Sequence, residues 1–476
     1  MALGDDITRL LAMARDIYAH DPAATQEIDF VASRLAEPLR VAIVGRVKAG
    51  KSTLLNALVG EELAPTDAGE CTKIVTWYRQ GHTYRVMLKP NGAPDMQIPF
   101  QRDGGAIDID LGTRTHDDIE RLVVDWPTSR LASMTLIDTP GLAAATVVHG
   151  QRTEEFLAMD ADGIGQADAV VYLLRHLHGS DVDFLEAFHD DDFATANPVN
   201  AIAVLSRADE VGACRPDALE SANRVAERYA DDAKLRQLCQ RIVPVAGLLA
   251  QAAATLTEAE FQALRTLAAM EPEAVEDLTL TVDRFVGETI PCDVAPLERE
   301  DLLHRLGLFG VRLAVAEIAG GRATTASALC AALRAASGIE NLENTLATLF
   351  AGRRDVLKAR VVLVRLDEIC RARPADGVDQ LVGELERVGA NAHEFAETRL
   401  LSAVRARGLA LTDDETAELE RLLAPPADAA PFDQTAILEA IGRWTTKAES
   451  PFSTRDESLA ARTVVRSYEG AYAALS

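Results

Sequence analysis

The sequence has little cysteine and no long apolar run. Its six cysteines lie far apart, at positions 71, 214, 239, 292, 330 and 370, and none forms a C-x-x-C pair. This spacing argues against a disulfide framework and against a zinc site. No stretch approaches the roughly 18–20 apolar residues of a membrane span, and the start, MALGDDITRL, has neither the basic nor the apolar region of a signal peptide. We therefore expect a reduced, cytoplasmic protein.

Aromatic residues and positive charge are also scarce. Aromatics make up 5% of the chain, and 48 basic residues face 74 acidic ones, giving a formal net charge of −26. So acidic a chain argues against binding nucleic acid by neutralising phosphates, and any attraction to anionic lipid has to be local. What the chain does have is a hydrophobic content of 48%, enough for a sizeable core.

The hydrophobic pattern divides the chain into three parts. Residues 4–19 and 24–36 carry apolar residues at helical spacing and are predicted to form two helices. From about residue 39, short β-branched runs alternate with helical or turn-rich segments, which is typical of an α/β domain with a mainly parallel, buried sheet. Within it, YRVMLKPNGAPDMQIPF predicts an antiparallel excursion around an Asn-Gly turn. The pattern of residues 300–476 is almost entirely helical.

The stretch GRVKAGKST, residues 45–53, matches the G-x-x-x-x-G-K-[ST] phosphate-binding loop. It follows the strand LRVAIV and precedes a predicted helix, which is the context that the motif requires. Its glycines let the backbone wrap a phosphate group, Lys51 is predicted to bridge the β- and γ-phosphates, and Ser52 to coordinate Mg²⁺. We predict nucleotide contacts for Gly45, Ala49, Gly50, Lys51, Ser52 and Thr53.

A second element is MTLIDTPG, a hydrophobic strand that ends in Asp138. A carboxylate at this position holds Mg²⁺, and the backbone N–H of Gly141 is placed to detect the γ-phosphate. Between the two elements, LAPTDAGECTKIVTW offers a threonine that can reach Mg²⁺ when the γ-phosphate is present. We favour Thr72 over Thr66 as this catalytic and metal-binding threonine, although either fits an ordinary turn as well.

The third element is IAVLSRADEVG, a strand followed by Ser-Arg-Ala-Asp. It resembles the guanine-reading [NT]-K-x-D motif, in which the aspartate, here Asp209, accepts from the N1 and N2 protons of guanine. Ser206 and Arg207 replace the usual residues, and Arg207 is able to cover the base by cation–π stacking. A solvated loop of mixed charge is the alternative. Downstream, RIVPVAGLL places Ala246 and Gly247 where a base-contacting loop is expected.

These residues resemble dynamin-family large GTPases. PTDAGECT matches the family's switch I pattern, in which a proline is followed seven residues later by the magnesium threonine. More narrowly, LAEPLRVAIVGRVKAGKSTLLNALVG, APTDAGECTKIVTWYRQG and SRADEVGA are similar to the isoniazid-induced dynamin-like proteins of mycobacteria. The resemblance implies an α/β phosphate-loop GTPase domain with a mostly parallel sheet flanked by helices, plus an elongated α-helical bundle. The predicted units are neck helices at 1–37, the GTPase domain at 38–305, a helical trunk at 306–455 and a C-terminal helix, 456–476, that returns to the neck.

The resemblance also implies a function: hydrolysis of GTP to GDP with Mg²⁺, coupled to membrane remodelling at the cytoplasmic face of the plasma membrane. Its implied partners are a second copy or a sister dynamin-like protein, together with anionic lipid. The alternative is a slow GTP-switched scaffold that partners a sister protein without remodelling membrane. An ATP-using protein is disfavoured by Asp209.

Two further features remain open from the sequence. Leu142 stands where Ras-type enzymes carry a water-orienting glutamine, so Lys48 is a candidate catalytic finger, with a solvent-facing lysine as the equal alternative. Residues 321–373 form a locally basic segment, which fits either a lipid contact or an ion-paired helix face. The Pro-rich loop 422–432 is a second candidate lipid-binding tip or a plain linker.

Overall fold

The structure is a computed structural model of the whole chain. It describes residues 3–64, 74–103, 106–112, 114–115, 118–140, 167–177, 179, 182, 185, 200–287, 291–405, 408–425, 430 and 432–475. Three predicted site residues, Thr66, Thr72 and Gly141, lie outside the described residues, as do Leu142 and much of the loop 422–432.

Nine of the strands form one mixed sheet in the order β11-β10-β9-β1-β8-β2-β7-β3-β4. The five strands from β11 to β8 run parallel, β2 is antiparallel to β8 but parallel to β7, and β3 and β4 are antiparallel. The bounds are β1 Leu39–Gly45, β2 Thr76–Gln80, β3 Arg85–Pro90, β4 Met96–Ile98, β5 Phe100–Asp103, β6 Ala106–Ile109, β7 Ile119–Trp126, β8 Met134–Asp138, β9 Ala169–Leu174, β10 Ala201–Ser206 and β11 Ile242–Val245. The predicted mostly parallel sheet and its antiparallel excursion are thus confirmed.

Helices flank the sheet and make up almost all of the second half of the chain. They are α1 Leu3–Ile17, α2 Pro22–Ser33, α3 Lys51–Val59, α4 Ala218–Ala230, α5 Ala233–Leu238, α6 Gly247–Thr255, α7 Glu258–Ala268, α8 Pro272–Leu278, α9 Val282–Val286, α10 Pro296–Ala319, α11 Ala326–Ala336, α12 Ile339–Leu349, α13 Arg354–Ala372, α14 Val378–Asn391, α15 His393–Arg405, α16 Asp413–Leu423, α17 Gln434–Glu449 and α18 Arg455–Ala474. None of these described helices combines the length and the apolar character needed to cross a lipid bilayer.

The helices α10, α11 and α12 pack on the sheet half of the molecule. Helix α10 contacts α6 and α7, α11 contacts α6, and α12 contacts β11 and α3. Gly338, before α12, lies so close to β11 that an added Cβ would meet the carbonyl oxygen of Pro244 at 2.3 Å. The predicted boundary at residue 305 lies within α10, two residues before the non-helical Gly307, and apolar side chains of α10 on both sides of it share a core with the sheet.

The terminal helices have different packing partners. Helices α1 and α2 bury their apolar faces against α13 and α14. Helix α18 contacts mainly α17, with further contacts to α15 and α16, because Val464 and Tyr468 pack with Trp444 of α17. Our prediction placed this last helix against the N-terminal helices. The structure differs, since helical periodicity gives the apolar face of α18 but not its partner.

One buried ion cluster joins the three parts of the chain. Asp168, at the start of β9, accepts from Arg34 Nη2 at 2.7 Å and from the backbone N–H of Arg40 at 2.8 Å. Lys358 Nζ of α13 lies 2.7 Å from Asp168 Oδ2, the oxygen that also accepts from the N–H of Arg40, whereas Arg34 donates to Oδ1. The side chains of Arg34, Asp168 and Lys358 are each at most 3% exposed. The cluster therefore fixes the N-terminal helices and α13 to the sheet.

Candidate nucleotide site

The phosphate loop connects β1 to α3 and is built for close backbone approach. A Cβ on Gly45 would lie 2.8 Å from the carbonyl oxygen of Leu173, so only glycine fits between the two strands. Gly50, at φ 93°, takes the left-handed conformation that starts α3. Lys51 Nζ donates to the carbonyl oxygens of Gly45 at 3.2 Å and Arg46 at 3.4 Å. Burial lowers the pKa of Lys51, and the nearby carboxylate of Asp138 opposes that shift.

The predicted magnesium ligands that the structure describes lie together. Ser52 Oγ donates to Asp138 Oδ2 at 3.3 Å, and among the described residues nothing hydrogen-bonds to the buried Oδ1. Burial raises the pKa of Asp138 to about 6, while Lys51 and Ser52 act in the opposite direction. A hydroxyl oxygen beside a buried, partly unpartnered carboxylate is a donor set that suits a hard divalent cation such as Mg²⁺.

Asp209 lines a cleft together with Ala49, Gly50 and Thr53 of the phosphate loop, and it lies in a 3-10 turn, Ala208–Glu210, directly after β10. The residue is 5% exposed, and burial raises the pKa of its carboxyl to about 6. Around it, the cleft is formed by the phosphate loop, the carboxyl ends of β9, β10 and β11 and the start of α6. Its lining comprises Ala49, Gly50, Thr53, Leu54, Leu173, Val204, Ser206, Arg207, Asp209, Glu210, Val245, Gly247 and Leu248.

The predicted base-contacting pair divides between the cleft and the core. Gly247 lines the cleft, and a Cβ added to it would lie 3.3 Å from Thr53 Cγ2, which places α6 close against α3. Ala246 is fully buried, and its N–H donates to the carbonyl oxygen of Ser337 at 2.9 Å. At this point the cleft wall is therefore formed by Gly247 and Leu248 rather than by Ala246.

Arg207 connects the two nucleotide-binding loops. Its Nη2 donates to the carbonyl oxygen of Lys48 at 3.1 Å, and its Nη1 donates to Glu210 at 2.7 Å. Arg207 and Lys48 both have positive φ, 54° and 63°, a conformation that costs a non-glycine residue free energy. The Lys48 side chain itself is exposed. The link thus runs through the backbone of Lys48 and leaves its ammonium group available to a ligand.

Sequence reasoning missed Asn56, a buried side chain of α3. Its Oδ1 accepts from the N–H groups of Leu63 at 2.9 Å and Ala64 at 2.8 Å, and its Nδ2 donates to the carbonyl oxygen of Ala64 at 2.9 Å. These bonds fix the chain directly before the segment that contains Thr72. The signal was present, since a single amide interrupts the apolar run of LLNALV.

The basic segment 321–373 is extensively paired. Arg354 donates to the carbonyl oxygens of Leu35 and Glu37, and Arg353 donates to that of Leu423. Ion pairs formed by the basic residues of this segment include Arg322–Glu317, Arg334–Glu340, Arg334–Glu343, Lys358–Asp168, Arg365–Glu368, Arg371–Asp367, Arg373–Asp21 and Arg373–Glu27. These contacts favour an ion-paired helix face over a lipid-binding patch.

The chain is similar to several known proteins along part or all of its length. Residues 41–192 match the model of the dynamin family. The isoniazid-induced protein IniC of Mycobacterium tuberculosis is 38% identical over 494 aligned positions, which cover 100% of this chain and 99% of that protein. A bacterial dynamin-like protein of Nostoc punctiforme is 30% identical over 151 residues, 29% of this chain and 21% of its own length. A solved chain of an oligomerised bacterial dynamin pair aligns with 99% of this chain and 73% of its own, at 15% identity and a TM-score of 0.35.

Proposed function

The chain belongs to the bacterial dynamin-like GTPases of the dynamin family, and on that premise we propose that it couples GTP hydrolysis to self-association and membrane contact. The observation that carries the proposal is the position of the Ser52–Asp138 pair and of Asp209 on two sides of one phosphate loop, each at the carboxyl end of a strand of the parallel part of the sheet. In open α/β sheets this edge is where ligands bind. The proposed location is peripheral, at the cytoplasmic face of the plasma membrane.

The arrangement divides the substrate into phosphate and base. Lys51 and the N-terminus of α3 bind the phosphates, and Asp209 accepts from the two guanine protons that adenine does not offer. Ser52 and Asp138, with Thr72 from the segment outside the described residues, are the residues that would hold Mg²⁺. When bound, Mg²⁺ neutralises charge on the β- and γ-phosphates.

We assign Lys48 as the internal finger that supplies transition-state charge. Two observations support it: the side chain is exposed, and the backbone is held in an unfavourable conformation by the bond from Arg207. Because substitution leaves that backbone carbonyl in place, Lys48→Ala should lower turnover about a hundredfold or more while GTP affinity changes little. Lys48→Arg is the matched control and should retain a large part of the rate. An equal fall of turnover and affinity in Lys48→Ala, or no fall in turnover, would reject the finger.

The proposed membrane contact is the turn between α17 and α18. There Phe452 is 95% exposed, the highest value among the large apolar side chains of the described residues. The turn is ordered by hydrogen bonds, since Ser453 donates from Oγ to Lys447 O at 2.8 Å and from its N–H to Ser450 O at 3.2 Å. An aromatic side chain held outward in this way fits the boundary between lipid headgroups and acyl chains.

The ion pairing of residues 321–373 favours the scaffold alternative, because basic side chains that are already paired with carboxylates are not available to bind anionic lipid. Co-sedimentation with anionic liposomes, with and without a non-hydrolysable GTP analogue, separates the two functions. We expect binding that is lost in Phe452→Asp and kept in Leu297→Asp, a control at a side chain that is 69% exposed. If the wild-type protein does not pellet with liposomes in any nucleotide state, membrane contact is rejected and the scaffold function is supported.

Self-association is tested by GTP turnover against protein concentration. If paired protomers complete the catalytic site, the specific rate rises with concentration and rises further on liposomes. A specific rate that is independent of concentration over a hundredfold range would contradict activation by association.

A further inference from the structure

Helix α10 is interrupted beside the base-binding aspartate. Gly307, inside Pro296–Ala319, has φ 66° and ψ 169°, a backbone region that is essentially restricted to glycine. A Cβ built on Gly307 would lie 3.6 Å from Asp209 Oδ2 and 3.6 Å from Leu248 Cδ1. The interruption therefore places a position without a side chain next to both the carboxylate of Asp209 and Leu248 of the cleft wall.

The same helix also holds the loop that follows Asp209. Arg312, little more than one turn beyond the interruption, donates from Nη1 to the carbonyl oxygen of Cys214 at 2.6 Å and from Nε to that of Thr279 at 3.0 Å. Ala213 and Cys214 have left-handed φ values of 63° and 58°. Such backbone persists only where its surroundings fix it, and the guanidinium of Arg312 supplies that constraint.

The two contacts act on one short segment from the same side. Two carboxylate oxygens that accept from adjacent N–H groups must be aimed along both bonds, since hydrogen bonds weaken steeply away from linearity. Asp209 lies in a 3-10 turn, and the loop after it is held by contacts outside itself. The direction of its carboxylate therefore depends on what it packs against, and Gly307 of α10 lies next to its Oδ2.

We propose that α10 is the platform that orients Asp209, with Gly307 as a positioning residue for guanine specificity and Arg312 as the anchor of the following loop. The inference rests on the proposed reading of guanine by Asp209. A side chain at residue 307 cannot keep this backbone conformation, so α10 has to straighten or recede, and the carboxylate loses one wall of its position.

The test compares Gly307→Ala with Gly321→Ala, in which the glycine also has positive φ, 71°, but a Cβ would meet nothing within 4 Å. Affinities for GDP, IDP and ADP are measured by titration calorimetry, since diphosphates avoid hydrolysis and IDP lacks the 2-amino group. In Gly307→Ala we expect the GDP:IDP affinity ratio to fall about tenfold towards one, with ADP unchanged. In Gly321→Ala all three affinities should match the wild type. A parallel loss for GDP and IDP, with their ratio preserved, would show a merely structural role and overturn the proposal.

Arg312→Ala provides the second variant, and it should lower the same ratio by releasing the loop. If Gly307→Ala does not fold, an unchanged ratio in Arg312→Ala overturns the platform. The wild-type protein tests the premise separately. If it binds GDP no more tightly than IDP and ADP, the assignment of Asp209 as the guanine-binding residue fails. If instead both variants still discriminate GDP from IDP as well as the wild type does, only the role of α10 is rejected.

Discussion

The sharpest stability prediction concerns Asp168→Asn. The amide keeps the size of the side chain and can still accept the N–H of Arg40, so the change removes charge with little change of shape. It leaves the side chains of Arg34 and Lys358, at most 3% exposed, without the carboxylate that both contact at 2.7 Å. The perturbation is therefore the loss of the one carboxylate charge that these two buried cations share.

Removing one partner of a buried ion pair costs about 3–5 kcal/mol. We expect a loss within that range, because the carboxylate of Asp168 contacts two buried cations. By contrast, Arg15–Asp29 is an exposed pair of similar length, 2.8 Å, with side chains 46% and 57% exposed. Asp29→Asn is the matched control and should cost less than about 1 kcal/mol.

The loss should depend on pH. Burial lowers the pKa of Lys358 from its usual 10.5, and the charge of Asp168 opposes this shift. Without that charge the pKa of Lys358 in the folded state falls further. Between that pKa and 10.5 the unfolded state binds more protons than the folded state, so the free energy of unfolding rises with pH. The difference in the free energy of unfolding between Asp168→Asn and the wild type should therefore become smaller from pH 7 to pH 9.5.

Urea denaturation followed by circular dichroism at both pH values measures these differences. The double variant Asp168→Asn/Lys358→Met also removes the buried ammonium group of Lys358. It should recover at least a third of the free energy of unfolding that Asp168→Asn loses. A cost of Asp168→Asn no larger than that of Asp29→Asn, or a deficit identical at pH 7 and pH 9.5, would refute the role assigned to the buried cluster.

Three further predictions concern the nucleotide site. Burial raises the pKa of Asp209 to about 6, and only the ionised carboxylate accepts both guanine protons. GDP affinity should therefore fall up to tenfold per pH unit below pH 6. Calorimetry at pH 5 and pH 7 measures this fall, which should be absent in Asp209→Asn. Asp138→Asn removes a buried carboxylate whose pKa is raised to about 6. At pH 7 the free energy of unfolding of the nucleotide-free variant should therefore rise by roughly 1–3 kcal/mol. Its GTP complex, however, should no longer melt at a higher temperature in Mg²⁺ than in EDTA. Asn56→Ala leaves the N–H groups of Leu63 and Ala64 unpaired, and should cost about 2–4 kcal/mol in urea and lower GTP turnover more than GDP affinity; unchanged turnover would contradict the link to the Thr72 segment.

The strands and the phosphate-binding half of the site were predictable because their signals are local. The β-branched runs that became β1, β9 and β10 are buried along their whole length, as expected for a parallel sheet covered on both faces. The approach of Ser52 to Asp138 followed from two motifs that end neighbouring parallel strands.

What escaped prediction depends on partners far away in the chain. Arg34, Asp168 and Lys358 are ordinary surface-type residues in the sequence, and nothing local indicates that they meet. Gly307, in RLGLFGVRL, looks like a tolerated glycine within a helix, since its unusual backbone arises only where α10 meets Asp209. The packing of α18 on α17 was missed for the same reason.

Because α10 and α11 share a core with the sheet, a stable fragment of the chain has to include them. A fragment that ends at residue 305 would expose the apolar surface of the sheet half that later residues cover. It would lack five side chains that are at most 4% exposed in the whole molecule and share that core: Leu306, Phe309, Val311, Leu329 and Leu333. At about 2 kcal/mol for each, the loss is comparable to the entire stability of a typical domain. A catalytic fragment suited to expression therefore has to extend at least through α12, to Leu349, and one cut at 305 should be insoluble.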